Sequence, residues 1–267
     1  MIDLRPATTS DLAAIHEVWW AADLGAGTPE SDRKQNPWFG HVLRTGTMLV
    51  ATIDDEIVGF AGHRLVGATS VISDCFVDPV HQGKGIGTSM VVALLHSNRP
   101  IMTLSSEDPK ARSLYRRFGM IPQFECRYLK GDPRAMPRAD LPVVEVGGYP
   151  VSSTDLPHLR DDLGCQFLEV GAAGTGSRGA IGRNSVESSW IAPGADAVSV
   201  ASALLGWMAA SGSEQVKLQV GETHPAFPEL ERVGFEVIGT DMLMASPGAE
   251  VPDPTRVTFN GDILLIG

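Results

Sequence analysis

The sequence predicts a mixed α/β chain that carries one fold twice. Three observations predict this. Strand-like and helix-like stretches alternate through residues 1–130. Residues 131–142, with three prolines and several charges, then break the alternation as a linker. Beyond it, in residues 143–267, short matches to the first half recur in the same order. Residues 6–12 (Pro-Ala-Thr-Thr-Ser-Asp-Leu) match residues 150–156 (Pro-Val-Ser-Ser-Thr-Asp-Leu) at an offset of 144. Val77-Asp78-Pro79 matches Ile191-Ala192-Pro193 at 114, and Arg117-Phe118-Gly119-Met120 matches Arg232-Val233-Gly234-Phe235 at 115. The shrinking offset means that the second copy is trimmed by about thirty residues.

Each element has a local reason. Residues 1–5 read as a short strand. Thr9-Ser10-Asp11 caps a helix over residues 12–22, with Leu12, Ile15, Val18 and Trp19 on one face. Residues 23–37, rich in glycine, proline and polar side chains, read as a loop or a loop broken by a short helix. Residues 47–53 and 57–65 form a hairpin about Asp54-Asp55-Glu56, and residues 69–77 form the next strand. Met90, Val91, Leu94 and Leu95 repeat at helical spacing over residues 88–97. Residues 101–104 are a strand of buried type. Residues 108–118 are a helix with Ala111, Leu114, Tyr115 and Phe118 on one face, and residues 124–129 close the first copy.

Composition excludes several functions. The net charge is −11, with 15 Lys and Arg against 16 Asp and Glu in residues 1–140 but 6 against 16 in residues 141–267. A chain without a basic face is a poor ligand for nucleic acid. The acidic second half suits a cationic partner such as an amine, although solubility alone also accounts for it. The three cysteines, Cys75, Cys126 and Cys165, are far apart and lack metal-ligand spacing, so no metal is expected. Sparse cysteines, no signal-like N-terminal pattern and no apolar run of membrane length together predict a cytoplasmic protein with no membrane partner.

Chemistry concentrates in Gln82-Gly83-Lys84-Gly85-Ile86-Gly87, between the strand ending at Val77 and the following helix. Three glycines in five positions leave successive amides bare at the positive end of a helix dipole, an arrangement that binds pyrophosphate.

Two segments make the first copy resemble the GCN5-related N-acetyltransferase (GNAT) family. Val77-Asp78-Pro79 with the glycine turn fits that family's (Gln/Arg)-x-x-Gly-x-(Gly/Ala) loop. Residues 108–120 fit its Asn-x-x-Ala-x-x-Leu-Tyr-x-x-x-Gly-Phe helix, with Asp108 in place of Asn and Met120 in place of Phe. The resemblance spans residues 1–130. It implies two GNAT-like domains, each a mixed, mostly antiparallel twisted sheet flanked by helices. It also implies acetyl-CoA, or a related acyl-CoA, as co-substrate and a primary amine as acceptor; the acidic second half and the short apolar loop favour a small-molecule amine over a protein N-terminus, and both stay open.

By the same resemblance Cys75, Phe76 and Val77 offer backbone groups to the pantetheine arm. Gln82, Gly83, Lys84, Gly85, Ile86, Gly87 and Thr88 hold the pyrophosphate, and Asp108 and Ala111 contribute from the second motif. Tyr115 matches the general acid that protonates the departing thiolate. The general base stays open among Asp74, His63, Glu107 and water. Simple alternation turns Asp74 away from Ser73 and Cys75, and a bulge would change that. Trp20, Trp38 and Phe39 flank the acceptor region at residues 23–39, where they either line the pocket or cover the sheet. Other acyl-CoA chemistry, such as decarboxylation, and a non-catalytic acyl-CoA sensor are the competing readings. Tyr115 weighs against the sensor.

The second copy lacks these groups. An offset of 114 sets Asp196, Ala197, Ser199 and Ala201 opposite Gln82, Gly83, Gly85 and Gly87, and 115 sets Leu230 opposite Tyr115. Residues 143–267 are therefore expected to bind no CoA and to pack against the first copy or wall its acceptor site. Glycine-rich residues 171–182 are expected to form a mobile loop. The two copies can pair as protomers of a dimer do, which leaves a monomer or a homodimer open.

Overall fold

The computed structural model describes residues 2–24, 29, 31, 33–95, 99–148, 155–171 and 176–259. The chain divides into two compact units. Unit 1 is Met1–Leu104, Asp108–Ile121 and Met244–Glu250; unit 2 is Ser105–Glu107, Pro122–Leu243 and Val251–Gly267.

In unit 1, β1 (Asp3–Pro6), β2 (Thr47–Ile53), β3 (Glu56–Val66) and β4 (Thr69–Val77) pair antiparallel in that order. β5 (Ile101–Ser105) pairs parallel to β4 through Ser70↔Ile101, Val71↔Met102 and Ile72↔Thr103. The helices are α1 (Leu12–Trp19), α2 (Pro37–Thr45), α3 (Ile86–Leu94) and α4 (Pro109–Arg116). Arg5 holds Asp11 through two bonds of 2.8 Å, and Asp11 accepts the Thr8 N–H at 2.7 Å, which fixes the entry to α1. Helix α2 was not foreseen. Asn36 caps it by accepting the Trp38 N–H at 3.0 Å, and Pro37 occupies its first turn. Helix α3 starts at Ile86, two residues before the expected start, while residues 96–97 of the expected helix lie outside the described residues.

Between β3 and β4 the register shifts at Gly62/His63, because Asp74 opposes Gly62 and Ile72 opposes His63. Ser73 is the extra residue of this bulge. The bulge resets the alternation. Asp74 and Phe76 share a face with Gly62 and Phe60, and Phe76 stacks on Phe60 at 5.5 Å. Cys75 and Val77 turn to the α3 face, against Ala51, Val58, Ala61, Ile86 and Met90.

Unit 2 repeats the order. It runs β7 (Val143–Val146), a π-turn at His158–Asp162, β8 (Gln166–Val170), β9 (Ser177–Ile181), β10 (Val186–Trp190), α5 (Ala197–Ala210), β11 (Val216–Gly221), α6 (Phe227–Arg232) and β12 (Glu236–Ala245). This is the sequence of β1, α1, β2, β3, β4, α3, β5, α4 and β6 (Ile121–Gly131), with no counterpart of α2 among the described residues. Residues 150–154 of the first sequence match lie outside the described residues. β7 to β10 pair antiparallel, and the core under α5 gathers Leu168, Val170, Leu204, Leu205, Met208 and Leu218. Residues 171–182 are not a loop throughout: Ser177–Ile181 are β9, paired on both sides, while 172–175 lie outside the described residues.

Compactness divides the chain differently from boundaries at 130 and 143. β6, expected to close the first copy, pairs antiparallel with β11 from Val216↔Gly131 to Gly221↔Cys126 and lies in unit 2. Unit 1 instead takes residues 244–250. The Ser246 N–H donates to the Ile101 carbonyl at 2.9 Å, the Ile101 N–H donates to Ser246 Oγ at 2.9 Å, and the Glu250 N–H donates to Thr69 Oγ1 at 2.9 Å.

Candidate active site

The site grows from the end of β4. Asp78 accepts the Val80 N–H at 2.9 Å and fixes a 3-10 turn at Pro79–His81. Gln82 Nε2 donates to the Val77 carbonyl at 3.1 Å and ties the loop back to the strand. Gly83 and Gly85 then sit at φ 77° and 81°, the left-handed region where a Cβ is strained. Nothing lies within 4 Å of a Cβ built on either glycine, so this face of the loop is open. Gly85 is the N-cap of α3, and no side chain caps that helix. Its first N–H groups therefore remain available at the positive end of the dipole.

Helix α4 forms the other wall. Asp108 caps it by accepting the Lys110 N–H at 2.8 Å, with Pro109 in the first turn. The helix ends at Arg116, and the turn after it passes through Gly119, at φ 78°, where the Met120 N–H bonds the Tyr115 carbonyl at 3.4 Å. Tyr115 is 5 % exposed.

Between these walls lies a cleft of about 550 Å³. It is lined by Cys75, Val77, Gln82, Gly83, Gly85, Ile86, Gly87, Thr88, Asp108, Ala111 and Tyr115. The structure thus brings together eleven residues named from sequence. His81, Lys110, Leu114 and Arg117 also line it and were not foreseen. The spacing of Lys110, Leu114 and Arg117, four and three residues apart, was the available signal for one helical face. Phe76 and Lys84 do not line the cleft: Phe76 stacks on the other face, and Lys84 is exposed.

Asp74 does not line the cleft either. It is buried on the face of Phe60 and Phe76, and burial pushes its carboxyl up to about 6. Ser73 Oγ, which donates to it at 2.8 Å, the Trp38 indole and the Arg64 charge pull the other way. Cys75 is pushed up to about 12 by burial and by Asp74, so it is a neutral thiol rather than a nucleophile.

The acceptor-pocket expectation needs correction. Trp38 and Phe39 are each 1 % exposed and belong to the core: Phe39 meets Phe60 at 5.1 Å, and Arg64 lies over Trp38 at 4.9 Å. Trp20 is half-buried, its indole N–H bound to the Lys34 carbonyl at 3.0 Å. Residues 25–28, 30 and 32 of the acceptor region lie outside the described residues. His63 faces a different hollow, with Leu65, Ser70 and Arg99, which shares no lining residue with the cleft. Burial and Arg99 lower its pKa. Glu107 accepts the Thr240 hydroxyl within unit 2. No cluster of metal-ligating side chains occurs among the described residues.

Unit 2 shows the counterpart occupied by its own side chain. Gly194, at φ 79°, precedes Asp196, the N-cap of α5, just as Gly83 precedes Gly85. The structural offset is thus 111, which corrects the 114 read from sequence and sets Asp196 opposite Gly85 rather than Gln82. The Asp196 carboxylate accepts the Ser199 N–H at 2.9 Å and the Ser199 hydroxyl at 2.6 Å, so this helix caps itself. The offset of 115 holds at the other motif. The Phe235 N–H bonds the Leu230 carbonyl as Met120 bonds Tyr115, and Leu230 is fully buried.

A glycine-opened helix start beside a tyrosine-bearing helix, on a mostly antiparallel sheet, is the arrangement that the sequence resemblance implies. Residues 12–120 match the model of the acetyltransferase (GNAT) family, and the chain carries a domain of that family. Solved structures agree over nearly the whole length. A candidate acetyltransferase from Pyrococcus horikoshii is 18% identical with a TM-score of 0.75, covering 98% of this chain and 95% of its own. A tandem GNAT protein from the clavulanic acid biosynthesis pathway is 13% identical with a TM-score of 0.62, covering 92% and 98%. A GCN5-related N-acetyltransferase from Sphaerobacter thermophilus is 16% identical with a TM-score of 0.64, covering 93% and 97%. No curated protein matches the sequence. No helix among the described residues is long and apolar enough to cross a membrane.

Proposed function

We propose that the chain is an N-acetyltransferase that moves an acetyl group from acetyl-CoA to a primary amine on a small molecule, at one site, in unit 1. The observation that carries this reading is the uncapped start of α3 behind two left-handed glycines, in one cleft with Tyr115. The residues present fit acyl-CoA: bare amides from Gly83 to Thr88 suit a pyrophosphate, and Lys110 and Arg117 add positive charge to the α4 wall. When bound, acetyl-CoA supplies an activated thioester carbonyl. The stretch of β4 bearing Cys75 and Val77 orients an extended ligand along the strand. Tyr115 holds a phenolic proton at the cleft wall and acts as general acid. Asp74 lies outside the cleft, and in this proposal water takes the proton of the attacking amine.

Incubation with acetyl-CoA and a panel of amines tests the proposal. Free thiol should appear only when an amine is present, with the acetylated amine as product. Thiol release without an amine, or binding without chemistry, would remove the transferase reading.

A further inference from the structure

In unit 1 the parallel pairing of β4 and β5 ends at Ile72↔Thr103, and Cys75 and Val77 beyond it line the cleft. Unit 2 has the same vertex. Ser185 bridges Lys217 in parallel, and the Lys217 N–H bonds the Asn184 carbonyl at 2.9 Å. There the gap is filled. β13 (Val257–Phe259) runs between β10 and β11 and pairs antiparallel with both, Thr258 standing opposite Ser189 on one side and Val220 on the other.

The inserted segment is fastened at several points. Ser189 Oγ and Thr258 Oγ1 are 2.7 Å apart. The Ile191 N–H donates to the Arg256 carbonyl at 2.8 Å, and the Arg256 guanidinium donates to the Ile191 carbonyl at 2.9 and 2.8 Å while lying over Trp190 at 4.9 Å. Pro254 fills the space above Gly221, where a Cβ would come within 2.6 Å of it. The seam is polar for a core. Ser188, Ser189, Gln219 and Thr258 are all buried in it, and the Gln219 side-chain amide has no partner among the described residues.

We infer that residues 253–259 are a built-in occupant of unit 2's cofactor gap. A peptide strand stands where, on the acyl-CoA reading of unit 1 on which this inference rests, the extended arm of the cofactor lies. Unit 2 is therefore shut to acyl-CoA twice over: Asp196 fills the phosphate end, and β13 fills the arm. Strand addition along both edges uses backbone bonds that any peptide of this sequence offers, so the gap takes the same strand in trans.

Two variants test this. One is the chain ended after Glu250, which keeps the 244–250 segment of unit 1; the other is full-length Thr258→Pro, which removes a ladder N–H from a strand flanked on both sides. The readout is amide hydrogen exchange at residues 188–190 and 219–220. Both variants should lose at least about tenfold protection there, and a synthetic peptide of residues 251–260 should restore it. Unchanged protection in both variants, or no recovery with the peptide, overturns the inference, as does a second equivalent of acetyl-CoA bound by the intact chain. If the shortened chain fails to fold, Thr258→Pro alone decides. The exchange data need no ligand, so an intact chain that binds no acetyl-CoA would sink the cofactor reading and leave the strand result standing.

Discussion

Tyr115 and Asp74 are both buried acids near the end of β4, yet the fold gives them different surroundings. Tyr115 reaches the cleft from α4, so Tyr115→Phe should lower turnover by about 10²–10⁴-fold while acetyl-CoA affinity stays within about twofold. Stopped-time product assays beside direct binding would show it, and equal losses in both would make Tyr115 a packing residue. Asp74 sits in the core, where burial raises its carboxyl from 3.8 to about 6. The folded state holds this proton more tightly than the unfolded state. The associated stability is therefore present below about pH 4 and lost as pH rises through about 6, on the order of 3 kcal/mol in all. Asp74→Asn keeps a neutral group at every pH. Denaturant midpoints should shift in favour of the variant, relative to the parent chain, between about pH 4 and pH 7. A pH-independent difference would mean that Asp74 keeps its charge at little cost. Its placement was half legible: alternation gave one face, and only the Ser73 bulge, which no residue type announces, gave the other.

Among the elements, those with local causes were legible. The glycine turn, the strands around it and the Tyr115 helix all follow from spacing within a few residues. Helix α2 also had local signals, Asn36 as cap and Pro37 behind it, but its nine residues make a short periodic run beside a polar loop. Replacing Asn36 by Ala should cost about 1 kcal/mol, seen as a lower denaturant midpoint with an unchanged slope. No change would show that Pro37 and the packing of Trp38 and Phe39 alone set the helix start. The aromatic pair misled for a related reason. A Trp-Phe dipeptide beside a loop reads the same whether it faces a ligand or a core, and the depth of Trp38 and Phe39 depends on Phe60 and Arg64, which lie far along the chain.

At the scale of the whole chain, the repeat was legible but the ownership of its strands was not. Nothing in residues 122–131 says that they pair with β11, because strand pairing is decided by long-range partners rather than by local pattern. The consequence is testable. A fragment of residues 1–130 lacks Ser246 and Glu250, which bind Ile101 and Thr69, and should show no cooperative unfolding transition by calorimetry. A fragment that unfolds cooperatively and binds acetyl-CoA as the full chain does would show that residues 244–250 are dispensable.

The proposed chemistry rests on one acyl-CoA site, made by the uncapped start of α3. The direct measurement is a calorimetric titration of acetyl-CoA into the full chain and into Gly85→Asp, which places a carboxylate at the α3 N-cap position that Asp196 holds in α5. One equivalent should bind to the parent chain and none to the variant. Two equivalents in the parent chain, no binding there, or undiminished binding by Gly85→Asp would contradict it.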